Sequence, residues 1–202
     1  RGDGSTGVKA GTLDFIGPAD SAVEYDCTTG GHCAISISGY MLPRMNDDGT
    51  AKQDAFGVFT DCPGSGITGA GVVLDGFPFP WDAESVLMAP AGVYNLCWCS
   101  EETDCSDISS YDSPAGVLNV LGPYTDFALA CTINAECIAD VLGVGIVDGD
   151  QVIPTFGSCD ATLSEQIADG TATPVTRASG QFNLGSLDAG AMRLCWCQEI
   201  AG

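Results

Sequence analysis

The tetrapeptide Leu-Cys-Trp-Cys occurs twice in this chain, within "AGVYNLCWCS" at 91–100 and within "AGAMRLCWCQ" at 189–198. Other landmarks recur in the same order. "AGTLDFIGP" at 10–18 returns as "AGVLNVLGP" at 115–123, "CTTGGHC" at 27–33 as "CTINAEC" at 131–137, and Cys62 after "FGVFTD" as Cys159 after "FGS". The displacement is 105 and 104 residues for the first two pairs and 97 and 98 for the last two. The slip therefore lies between them, where "GYMLPRMNDDGTAKQDAFG" in the first copy faces the shorter "GVGIVDGDQVIPTFG" in the second. Self-similarity in fixed order means one structural unit made twice. Repeat 1 spans 1–100, with a flexible Gly-rich leader at 1–10. Residues 101–114 form an acidic, Ser-rich linker, and repeat 2 spans 115–202.

Each unit reads as short strands. "AISISGY" and "VYNLCWC" alternate with a period of two, and "IVDGDQV" at 146–152 reads as two β runs joined by an Asp148-Gly149 hairpin turn. Proline and glycine interrupt the chain every ten or so residues, and no sustained 3.6-residue period appears. The one helical candidate is "DATLSEQIADG" at 160–170. The expected fold is all-β: two tandem small antiparallel β-sandwich domains stapled by disulfides.

Residues two apart on a strand share a face. Tyr94, Leu96 and Trp98, with Met192, Leu194 and Trp196 in repeat 2, are uniformly large and apolar and are assigned to the core. Asn95, Cys97 and Cys99, with Arg193, Cys195 and Cys197, fall on the opposite side, which is read as the outer face.

The Gly-x-Tyr run entering this strand resembles the penultimate strand of immunoglobulin-like domains. That family's cysteine shares a face with its tyrosine, whereas here the cysteines stand three and five residues after Tyr94, on the other face. A core disulfide of the immunoglobulin type is thereby put in doubt. Gly-x-Tyr-x-x-Cys-Trp-Cys paired with Cys-x5-Cys is also similar to repeats in large secreted proteins of protists. That resemblance implies a structural or surface role rather than a chemistry.

Eleven cysteines in 202 residues point to an oxidising compartment. The rival metal-thiolate reading wants closely spaced cysteine pairs and histidines, and the sole histidine is His32. The disulfide candidates are Cys27, Cys33, Cys62, Cys97 and Cys99 in repeat 1, and Cys131, Cys137, Cys159, Cys195 and Cys197 in repeat 2, with Cys105 between them. Connectivity stays open. Repeat 1 with Cys105 has an even set, while repeat 2 is left odd, which suggests an intermolecular bond or a buried free thiol. The position six after Cys197 would be 203, so the chain reads as a piece of a periodic array, or as a unit whose ends join neighbours. It opens on Arg1 without a basic, apolar leader, and any signal peptide is expected to have been removed. An extracellular or cell-surface location follows.

With 27 acidic against 6 basic residues the net charge is −21, which repels nucleic acid and anionic lipid. No apolar run is long enough to span a bilayer. Catalysis is not expected: His32 is replaced by Glu136 in repeat 2, and no nucleophile elbow, phosphate loop or His-rich metal set exists. Calcium is the one candidate ligand. Asp47 and Asp48 in "NDDG", with Asp54, and Asp148 and Asp150 in "DGD", place carboxylates in tight turns. Such residues are also ordinary in hairpin turns, and that is the reading taken. Arg1-Gly-Asp is discounted as a chance tripeptide. Phe77, Phe79 and Trp81 in "GFPFPWD" form a candidate interaction loop without counterpart in repeat 2, suited to stacking on sugars or closing a sandwich edge. No Asn-x-Ser/Thr sequon occurs, and Ser and Thr at 171–179 are open to O-glycans. The expected function is a non-enzymatic, extracellular structural building block that associates with identical subunits in a filament, coat or surface array. An adhesion or carbohydrate-binding module is the alternative.

Overall fold

The computed structural model describes residues 17–19, 21–31, 33, 35, 37–40, 55–62, 87, 89–100, 103–125, 128–156, 159, 173–187 and 190–198. The fold is all-β. Its strands are β1 Gly17–Pro18, β2 Glu24–Thr28, β3 Gly39–Tyr40, β4 Ala55–Phe59, β5 Gly92–Cys99, β6 Ser113–Pro123, β7 Cys137–Ala139, β8 Gly143–Val144, β9 Gln151–Thr155, β10 Val175–Thr176, β11 Phe182–Gly185 and β12 Arg193–Cys197. A 3-10 turn, Ile108–Ser110, stands between β5 and β6. The helical candidate at 160–170 lies outside the described residues.

The largest sheet has the order β2-β6-β5-β4, with β8 also paired to β6. β5 is antiparallel to both β4 and β6, whereas β2 and β6 run parallel, from Glu24 opposite Val117 to Thr28 opposite Leu121. The parallel pair departs from the purely antiparallel sheets expected. β6 carries the segment that opens repeat 2 in sequence, yet it is an interior strand of the sheet built from repeat 1. Its inward residues Ala115, Leu118 and Val120 are almost fully buried in one core with Ile35, Ile37, Phe56, Val58, Tyr94, Leu96 and Trp98. Gly116 allows β6 to pass close beside β2. Its φ is +149°, and a Cβ there would stand 2.9 Å from the Val23 carbonyl oxygen and 2.9 Å from the Tyr25 ring.

Repeat 2 forms the three-stranded sheet β10-β9-β12 and the pair β11-β7, around Ala139, Val141, Val152, Phe182 and Leu184. The β9–β12 register repeats that of β4–β5: Val152 faces Trp196 as Phe56 faces Trp98. The turn at Asp148-Gly149 is present, closed by the Asp150 amide on the Val147 carbonyl at 3.3 Å. β9 pairs with β10 and β12 rather than with residues 146–147, so the expected simple hairpin does not form.

The cysteine face of β5 is a correction. Cys97 and Cys99 are 0% and 1% exposed, in a second cluster with Ala55, Phe59 and Tyr111. The cause is the linker, which folds back over this face. Tyr111 packs against Phe59 with ring centroids 5.3 Å apart and planes tilted by 47°, and its hydroxyl donates to the Cys105 carbonyl at 3.1 Å. Asp104, Asp107 and Asp112 of the linker are exposed. The Ser106 hydroxyl and amide both donate to Asp104, holding its carboxyl below the usual range.

Candidate functional site

Five disulfides are formed. Cys27–Cys33 and Cys131–Cys137 are equivalent across the repeats, as are Cys62–Cys97 and Cys159–Cys195. Cys99 bonds the half-buried Cys105, so repeat 1 and Cys105 together form three bridges. Cys197, the counterpart of Cys99, is free and exposed. Closing the longer loops of 35 and 36 residues stabilises by roughly 4 kcal/mol each on the chain-entropy account, and each six-residue loop by roughly 2.

Of the residues assigned to the core, Tyr94, Leu96 and Trp98 are buried, and burial pushes the Tyr94 phenol above its ordinary pKa of 10.0. Met192, Leu194 and Trp196 are half-buried, and Leu194 and Trp196 pack against the repeat 2 core. Trp196 Nε1 donates to the buried Asp150 carboxylate at 3.2 Å, whereas the Trp98 indole nitrogen has no partner among the described residues. Asp150 also accepts from the Val147 amide at 3.1 Å. Asp148 accepts from the Ser179 and Gly180 amides at 3.0 and 2.9 Å and from Arg177 Nη1 at 3.4 Å. The Asp148 carboxylate thus fastens the 146–150 turn to the 177–180 turn, while the Asp150 carboxylate ties the same turn to β12. Among the described residues no three His, Cys, Asp or Glu side chains converge as metal ligands. Asp47, Asp48, Asp54 and His32, and the aromatic loop Phe77, Phe79 and Trp81, lie outside the described residues.

The half-exposure of Leu194 and Trp196 has a single geometric source. They border a groove of about 780 Å³ lined in part by Ala128, Leu129, Cys131 and Thr132 and by Gly190 to Leu194. Val141, Val152, Leu184 and Leu187 form part of its lining. These two stretches of the lining, 128–132 and 190–194, are the sequence counterparts of residues in β2 and β5, the strands between which β6 lies in repeat 1. In repeat 2, β12 is the outer strand of its sheet, and neither 128–132 nor 190–192 has ladder pairing among the described residues. β12 accordingly has five residues where β5 has eight. Leu129 and Cys131 are exposed, where their counterparts Tyr25 and Cys27 are half-buried and buried. The sequence reading did not single out this groove. Its signal was the near-identity of 10–18 and 115–123, which the reading used as a landmark without asking which sheet the segment completes.

Comparison with protein-family models, with curated proteins and with solved structures finds no match. Among the described residues no helix is long and apolar enough to cross a membrane.

Proposed function

We propose that this chain is an extracellular structural building block: two tandem immunoglobulin-like β-sandwich repeats, similar to those of large secreted protist proteins, that associate with identical subunits in a filament, coat or surface array. One observation carries the reading. β6 opens repeat 2 in sequence but completes the core of repeat 1. Consecutive repeats are therefore locked by a strand and not merely tethered, which is the property a load-transmitting array needs. Five disulfides are consistent with an oxidising, extracellular setting. The role is non-enzymatic, with no cofactor. The alternative, a carbohydrate-binding module, rests on Phe77, Phe79 and Trp81, and no observation favours it. Sedimentation velocity and negative-stain microscopy across a concentration series test the proposal. Ordered, concentration-dependent multimers are expected. A monomer at every concentration, with saturable binding on a glycan array, would replace this reading by the alternative.

A further inference from the structure

We propose that the groove of repeat 2 receives residues 10–18 of a second copy of this chain, inserted between 128–132 and β12 in the register that β6 holds in repeat 1. Copies then join head to tail. The inference rests on the self-association proposed above and names its contact.

Repeat 1 supplies the template. Residues 115–123 match 10–18 at Ala, Gly, Leu, Gly and Pro, and they fill the place equivalent to the groove. The Gly-Pro end of each segment stays with its own repeat in one shared geometry. Gly17 and Pro18 pair with Tyr40 and Gly39 just as Gly122 and Pro123 pair with Val144 and Gly143. A Cβ on either glycine would lie 3.5–3.6 Å from Cζ3 of its repeat's tryptophan, Trp98 or Trp196. In repeat 2 the residues preceding Gly-Pro serve the other repeat's sheet. By the same geometry, residues 10–16 have an acceptor of the repeat 2 kind to serve, and repeat 2 offers one that no strand fills among the described residues.

Transferring the observed register places Leu13 opposite Leu129 and Met192, Phe15 opposite Cys131 and Gly190, and Asp14 opposite Ala130 and Ala191. Of the four residues that differ from the template, Phe15 and Asp14 differ in a complementary way. Phe15 is larger than Val120, and the diagonal neighbour that is Tyr94 in repeat 1 is the slimmer, adaptable Met192 in repeat 2. Asp14 replaces Asn119, which donates to Asp26 at 2.9 Å. An aspartate at that site in repeat 1 would face the Asp26 carboxylate, but in repeat 2 it faces Ala130 and lies diagonal to Arg193, within reach of a cross-strand attraction. The segment 10–18 is thus matched to repeat 2 and mismatched to repeat 1. Such a contact is heterologous, so it propagates rather than closing into a dimer of like faces.

The test is disulfide capture in the full chain with Cys197→Ser. Thr12 would stand opposite Ala128, the pair equivalent to Val117 and Glu24. Thr12→Cys with Ala128→Cys should give a ladder on non-reducing gels that collapses on reduction, while Thr12→Cys with Ala130→Cys should not. An oxidised band of monomer size would overturn the inference, since the groove would then be filled within one chain. Multimers in sedimentation without the 128 ladder would also overturn it, yet leave self-association standing; a monomer without any ladder would overturn both. As a check that survives any folding defect of the cysteine variants, Arg193→Glu should weaken association about tenfold, and Asp14→Lys in the same chain should restore it. Absence of rescue, with both variants folded, counts against the register.

Discussion

The two tryptophans occupy matching places but meet different surroundings, and the difference is measurable. Trp98 lies inside a filled sheet, so Trp98→Ala should cost about 3–5 kcal/mol through lost burial and a cavity. Trp196 borders the open groove and buries less, but its indole N–H is one of the donors to a carboxylate that is 0% exposed. Trp196→Ala and Asp150→Ala are each expected to cost about 2–3 kcal/mol, dominated by a buried polar group losing its partner. The double variant should fall short of the sum by about 1–2 kcal/mol, because both changes remove one hydrogen bond. Urea unfolding under non-reducing conditions gives all three values. Strict additivity would mean that the indole and the carboxylate act independently.

At the scale of the element, β6 is the strand on which repeat 1 depends. Gly116→Ala should destabilise by roughly 1–3 kcal/mol, since the backbone must hold φ at +149° while the new methyl presses on Val23 and Tyr25. A chain ending after Thr125 should unfold cooperatively, while one ending after Asp112 loses Leu118 and Val120 from the core and should not; thermal melts of the two decide it. The sequence showed part of this. The alternation that put Tyr94, Leu96 and Trp98 on the core face is a local property of one strand, and it is legible wherever one face is buried. Where both faces are covered, as at Cys97 and Cys99, alternation carries no information about which is outside. The covering came from residues 103–111, whose acidic and serine side chains disguise the one buried ring, Tyr111. The membership of β6 was hidden for a different reason. Sequence similarity shows that 115–123 equals 10–18, but not whether such a segment completes its own unit or the one before it; pairing across repeats is a non-local choice.

For the whole molecule, charge sets how readily copies meet. Each carries a net −21, spread over a surface with only 6 basic residues to offset it. The proposed contact is a strand laid into an apolar groove, with a single Asp14–Arg193 attraction worth about 0.2–1 kcal/mol. Repulsion between two strongly acidic bodies acts over the Debye length, roughly 30 Å at 0.01 M salt but about 8 Å at 0.15 M. The long-range term is therefore screened first, while the backbone ladder and the apolar burial of Leu13 and Phe15 are hardly affected by added salt. Association should strengthen as sodium chloride rises from about 0.01 to 0.15 M, by about tenfold, a difference of about 1.4 kcal/mol. Sedimentation velocity at fixed protein concentration measures it. Joints held mainly by ion pairs behave in the opposite way, because the same ions screen the attraction that holds them. Multimers that dissociate as salt is added would therefore place the contact on charged faces, away from the groove between Leu129 and Met192.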